Sequence, residues 1–180
     1  MDSINRNQPE ENQRDLHGAD AVAYLTALHK KTETCLFCTK DGRGPSAGTR
    51  PMNVREVDDR GHLWFLSASD SHKNLELSTN PSVELYFKET EHSGFVRLSG
   101  RATVSRDPAR IKALWEPILR TWFTEGIDDP RITVIEIAPT GGYYWDNKHG
   151  DTVAGIKMLV GAAVGKTLDD SIEGRLSFQG

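Results

Sequence analysis

Leu63-Trp64-Phe65-Leu66-Ser67-Ala68-Ser69-Asp70-Ser71-His72-Lys73-Asn74-Leu75 is an apolar, strand-like run that passes into hydroxyls and cations and then into a helix-like segment. Where a helix begins, free backbone N–H groups and the positive end of the dipole favour an anion, and serines with a Lys there suit a phosphate. On the preceding strand-like segment, Thr49-Arg50-Pro51-Met52 adds a permanent cation beside apolar groups. Phosphate at one end and a flat apolar moiety at the other describe a nucleotide-like cofactor. Flavin mononucleotide (FMN) is the leading candidate, with FAD the alternative.

The chain has 180 residues, 37% of them hydrophobic and 27% charged, which is enough for one domain with a real core. Its net charge of −4 argues against a nucleic-acid binder, whose footprint is a basic face. No apolar run approaches the roughly 18–20 residues that span a bilayer, and the N-terminus carries no apolar signal-peptide core. These features predict a cytoplasmic protein without membrane or nucleic-acid partners. Cys35-Leu36-Phe37-Cys38 spells a redox motif, but it sits in a strand-like run. There, positions three apart face opposite sides of a sheet, so two buried and quiet cysteines are expected. No metal site is expected.

Residues 1–18 are polar and read as a loose arm, 19–150 as the main domain, and 151–180 as a helical, Gly-rich extension. Ala21, Tyr24, Leu25 and Leu28 form an i, i+3, i+4, i+7 stripe, with Asp20 a plausible N-cap. Strand-like runs fall at about 34–39, 47–57 and 62–68, with Asp58-Asp59-Arg60-Gly61 as hairpin turn chemistry. A helix over 71–78 is stopped by Asn80-Pro81. Strands follow at 83–87 and 95–104, both alternating apolar and polar side chains. Asp107-Pro108 then opens a helix that carries Ile111, Leu114, Trp115, Ile118, Leu119 and Trp122 on one face, closed by Gly126. Strands resume at 132–137 and 142–145, and a short last strand is expected near 175–178. The pattern predicts a mainly β (α+β) fold, a small six-stranded antiparallel barrel with peripheral helices. Gly161-Ala162-Ala163-Val164-Gly165-Lys166-Thr167 falls one residue short of the phosphate-loop spacing and follows a helix-like segment at 153–164, so it is read as a helix end.

The ordered set Arg50-Pro51-Met52, Trp64-Phe65-Leu66-Ser67, Ser71-His72-Lys73 and Asn80-Pro81 resembles the split-barrel flavin-binding proteins related to pyridoxamine 5′-phosphate oxidase. Leu114-Trp115-Glu116-Pro117, Trp122-Phe123, Gly126-Ile127-Asp128-Asp129-Pro130 and Tyr144-Trp145 look most like the general stress protein branch. The resemblance covers residues 20–147 and implies a six-stranded split barrel acting as a homodimer with flavin at the subunit interface. It implies that Arg50, Pro51 and Met52 flank the flavin ring and ribityl chain. It further implies that Phe65, Leu66 and Ser67 contact ribityl or phosphate, that Ser71, His72 and Lys73 hold the phosphate, and that Trp145 approaches the ring, across the dimer interface. The oxidases commonly carry Arg-Lys where this chain has His72-Lys73, and nothing matches the residues that recognise pyridoxamine phosphate.

A bound flavin carries redox chemistry itself, and no side chain stands out as its proton donor, so no catalytic residue is assigned. Two function classes therefore stand. One is an FMN-dependent oxidoreductase working between a reduced nicotinamide and a small acceptor. The other is a flavin-binding carrier or sensor in stress, without turnover.

Overall fold

The computed structural model describes residues 12–40, 48–89, 94–147 and 171–178. The elements are β1 (Leu16–His17), α1 (Ala19–Lys31), β2 (Thr34–Thr39), β3 (Thr49–Asn53), β4 (Glu56–Val57) and β5 (Leu63–Ala68). They continue with α2 (His72–Thr79), β6 (Ser82–Lys88), β7 (Phe95–Ser105), α3 (Pro108–Leu114), β8 (Ile132–Asn147) and β9 (Ser171–Ser177). Two short 3-10 helices, Pro117–Thr121 and Gly126–Asp128, lie between α3 and β8. The expected helix at 153–164 and the glycine-rich run at 161–167 lie outside the described residues.

Among the described residues, nine strands form one sheet in the order β1-β9-β8-β7-β6-β2-β3, with β5 pairing β8 and β4 pairing β5. Every pair is antiparallel except β1 with β9, so the sheet is mixed rather than wholly antiparallel, and it holds nine strands rather than six. Strand β8 organises it. One edge pairs β7 along the strand with a bulge at Ser99/Gly100, while the other edge pairs β5 through Ile132–Ile137 and β9 through Gly142–Asn147. The two partners diverge there, which makes this a split barrel. Pro139, which interrupts the apolar alternation and suggests two separate strands, falls in the gap between them, where no N–H is needed by either.

Four of the expected elements shift for identifiable reasons. The run read as one strand over 47–57 breaks because its backbone changes partner. The Val54 N–H bonds Glu33 O at 2.7 Å, and the Arg55 N–H bonds Trp64 O at 2.7 Å, so the chain passes from β2 to β5. The helix opened by Asp107 ends at Leu114, because Pro117 drives Glu116 into an extended conformation, φ −131° and ψ 149°. Helix α1 starts at Ala19 behind a left-handed Gly18, φ 49°, with Asp20 in its first turn rather than at its cap. Leu16–His17, in the expected loose arm, pairs with Leu176 and Ser177, and β9 joins part of the expected extension to the sheet.

The main core is the barrel interior, closed by α1. Phe37 and Phe65, both fully buried, meet edge to face at 5.4 Å among Leu63, Leu85, Leu98 and Ile135. Ala21, Leu25 and Leu28, as their helical stripe predicts, seal one opening. A second cluster lies on the other side of β5 and β8, where Leu66, Ile111, Leu114, Phe123, Ile132 and Val134 pack together with Trp64 and Trp115. Strand β5 is therefore covered on both faces, which is why Leu63-Trp64-Phe65-Leu66 is continuously apolar. Cys35 is buried and Cys38 half-buried, neither in a disulfide, and burial pushes the Cys35 thiol up to about 12. Among the described residues, no helix is long and apolar enough to cross a membrane.

Gly174 on β9 leaves no space for a side chain. A Cβ there would lie 1.9 Å from the Arg14 carbonyl oxygen, which also accepts the Tyr144 hydroxyl at 2.7 Å. Gly174→Ala is expected to push the segment before α1 off the sheet, at a cost of about 1–3 kcal/mol for overpacking. Thermal unfolding would register the loss. Amide exchange should quicken at Arg14 and Gly18, whose N–H groups now bond Glu173 O and Ser177 O.

Candidate functional site

The side of β5 that faces away from the barrel core meets β3, the start of α2 and the 3-10 segment. Between them lies a cleft of about 340 Å³, lined by Arg50, Pro51, Met52, Asn53, Arg55, Leu66, Ala68, Lys73, Leu119, Trp122 and Phe123. Its size is that of a small-molecule pocket. Two larger grooves exist but suit a charged ligand less well. One, of about 620 Å³ beside Leu75, Val104 and Arg106, offers a single cation, and the other, of about 590 Å³, is lined by Asp128 and Asp129 as well as Arg106 and Lys112.

The start of α2 is fixed by a closed ring of buried hydrogen bonds. Ser67 Oγ donates to Asn74 Oδ1 at 2.8 Å, Asn74 Nδ2 to Thr133 Oγ1 at 2.8 Å, and Thr133 Oγ1 to the Ser67 carbonyl at 2.9 Å. Ser71 is the N-cap residue without capping through its side chain, and its carbonyl accepts the Asn74 N–H at 3.0 Å. The amides of His72 and Lys73 open the helix, where intrahelical acceptors are missing.

One turn further on, Glu76 anchors the β3 cation. Arg50 Nη2 donates to Glu76 Oε2 at 2.7 Å and Nη1 to Thr39 Oγ1 at 3.0 Å, while Thr39 Oγ1 donates to the same carboxylate oxygen at 2.6 Å. Burial pushes the Glu76 carboxyl up, but the Thr39 and Arg50 hydrogen bonds, with the charges of Arg50 and His72, outweigh it and hold the group below its ordinary value. Lys73 differs. Among the described residues its ammonium has neither a hydrogen bond nor an ion pair. Burial and then the Arg50 charge push it below the ordinary lysine value, against the opposing pull of Glu76 and Asp70. An electropositive cleft whose freest cation stands at a helix N-terminus is a fitting receptor for a phosphate.

Of the ten residues singled out in the sequence, Arg50, Pro51, Met52, Leu66 and Lys73 line this cleft together. Ser71 is half-buried where α2 begins, and His72 is exposed on the first turn. The Phe65 side chain points into the barrel core, the Ser67 hydroxyl is committed to Asn74 and its carbonyl to Thr133, and neither residue lines the cleft. Trp145 stands apart on β8, 43% exposed, its ring 4.8 Å from that of Tyr143. Sequence reasoning missed Asn53, Arg55, Ala68, Leu119, Trp122 and Phe123. The Glu116-Pro117 dipeptide was the available signal, since it breaks the helix that would have hidden Trp122 on an apolar face. Trp122 is instead 64% exposed at the cleft wall.

A family model described as pyridoxamine 5′-phosphate oxidase like matches residues 20–169. The chain belongs to that family. The bli-3 protein of Neurospora crassa is 21% identical over 129 residues, which cover 67% of this chain and 62% of that one, so the chain spans under two thirds of its curated relative. A structure assigned to general stress protein 26 of Jannaschia sp. CCS1 superposes with a TM-score of 0.73 at 18% identity, covering 88% of this chain and 99% of the other. A protein of Xanthomonas citri named a general stress FMN/FAD binding protein matches with a TM-score of 0.61 at 24% identity, over 73% of this chain and 91% of its own. At these identities the solved structures share the split-barrel fold.

The Arg50–Glu76 pair makes stability depend on pH with a definite sign. A carboxyl held below its unfolded value of about 4.3 stabilises the fold above that pH, and the contribution fades as pH falls through the folded value. Glu76→Gln is expected to destabilise the protein by about 1–3 kcal/mol at neutral pH. The difference from wild type should shrink below about pH 4. Urea titrations at several pH values measure both.

Proposed function

We propose that this chain binds FMN in the cleft between β3, β5 and the start of α2, and that it is a stress-related flavin-dependent oxidoreductase working between a reduced nicotinamide and a small acceptor. One observation carries the reading. The cleft has Lys73, whose ammonium is unpaired among the described residues, in the first turn of α2 at one end, and Met52, Trp122 and Phe123 elsewhere on its walls. Family membership and a neighbour named for FMN/FAD binding support the same ligand.

In this reading Ser71, His72 and Lys73 hold the phosphate, with Arg50 contributing charge from its Glu76 anchor. Pro51, Met52 and Leu66 flank the ribityl chain and ring. Flavin, when bound, supplies the two-electron chemistry, and these residues bind it, orient it and exclude water. The reading includes a homodimer, in which Trp145 of a second copy approaches the ring. Its support is the exposed apolar set Leu36, Tyr86, Phe95 and Trp145 on β2, β6, β7 and β8. A cytoplasmic location fits two cysteines that are both unpaired.

Two measurements test this. Lys73→Ala removes a charge-assisted contact of about 1.5–3 kcal/mol, so FMN affinity should fall about ten- to a hundredfold while riboflavin, which lacks the phosphate, binds nearly unchanged. The stability of the flavin-free protein should hold or rise, because its half-buried ammonium is only partly compensated by Glu76 and Asp70. Equal losses for both flavins would show that Lys73 supports the fold instead. Under anaerobic conditions NADH or NADPH should bleach the visible absorbance of the bound flavin much faster than that of free FMN. No acceleration with either donor would leave a carrier or sensor without turnover.

A further inference from the structure

The cleft holds cations at two separated places. Strand β5 separates their backbone anchors, because the Ala68 carbonyl accepts the Ser71 N–H at the start of α2 while the Trp64 carbonyl accepts the Arg55 N–H, and of the cleft's arginines only Arg50 acts on the Lys73 charge. Four residues of strand separate these carbonyls, about 13 Å. Among the described residues, the α2 end has the first amides of the helix without backbone acceptors and Lys73 without a partner. The Arg55 end has neither, so an elongated ligand with one phosphate lies with that group toward Lys73 and its ring toward Arg55.

Arg55 itself is not spent on a buried partner. Its side chain is 9% exposed, and Nη2 pairs with Glu116, whose side chain is 59% exposed. Nη1 donates to Asn53 Oδ1 at 2.8 Å, and among the described residues the buried Nε has no acceptor. Water screens the charge of Glu116 far more than that of the buried guanidinium, so the pair leaves a net positive field in the cleft.

We propose that Arg55 sets the redox poise of the bound flavin, its charge at the ring end of the cleft favouring the reduced form, and that Glu116 moderates that charge from the solvent side. The inference rests on the flavin reading. Reduction adds two electrons from the donor and one proton from solvent to the ring system, a net gain of one negative charge. A nearby cation binds that product more tightly than the neutral oxidised ring, and the differential affinity is a shift in potential.

The test loads wild type, Arg55→Gln and Glu116→Gln with FMN. It measures binding by absorbance titration, then the two-electron midpoint potential against a reference dye. Arg55→Gln should reduce the preference for reduced FMN about tenfold, which lowers the potential by about 30 mV. Glu116→Gln should raise that preference about threefold, a rise of about 15 mV. Opposite shifts distinguish a charge effect from a packing defect, which would move both variants the same way. Full FMN loading with unmoved potentials, or shifts of the same sign, overturns the proposal and leaves the flavin reading intact. If Arg55→Gln does not fold, Glu116→Gln decides alone, and no rise overturns it. Failure of wild type to bind FMN overturns the flavin reading and this inference with it.

Discussion

The ring of hydrogen bonds through Ser67, Asn74 and Thr133 is the constraint on which the cleft depends. It ties the end of β5, the first turn of α2 and the start of β8 into one rigid junction, with each member a donor and an acceptor. A neutral hydrogen bond contributes only about 1 kcal/mol, but breaking one here strands buried polar groups at a larger cost. With α2 fixed, Lys73 lines the cleft from the first turn of the helix, and Glu76 reaches back to Thr39 and Arg50. The position of every cation near that end follows from one buried amide.

The same junction explains how opposing charges share a small volume. Arg50 and Lys73 repel each other, and Lys73 is costly to bury in that field. Glu76 offsets this from behind, away from the cleft lining. The arrangement favours an anionic guest because the protein's own compensation is incomplete. Stability is given up locally so that affinity is gained when the guest arrives, a common feature of binding sites.

Much of this was legible in the sequence, and where it was not the reasons are physical. The α1 stripe, the Asp58 turn, the extents of β5 and α2, and five residues of the cleft followed from periodicity, turn chemistry and family resemblance. β1 escaped because two residues carry no alternation, and its partner lies some 160 positions away in the chain. The role of Ser67 was misleading for another reason. A serine beside a phosphate cluster suggests a donor to ligand, yet only three-dimensional pairing with Asn74 and Thr133 shows where its hydroxyl points. Arg55 was invisible because it sits at a partner change between strands, and no local pattern marks such a place.

The Glu116–Asp129 segment forms a wall of the cleft without belonging to the sheet. Leu119, Trp122 and Phe123 are presented by short 3-10 turns whose backbone bonds are almost wholly internal, with Arg131 bonding the Trp122 carbonyl at 3.2 Å and Asp129 at 2.7 Å. Phe123 anchors this wall in the second core, while the exposed Trp122 beside it is free of the strand registers, so the wall can be exchanged at its cleft-facing side chains with the sheet left as it is. Changes in the wall can therefore widen, narrow or reshape the cleft while its Arg50–Lys73 end stays constant, and one barrel can come to present differently shaped clefts.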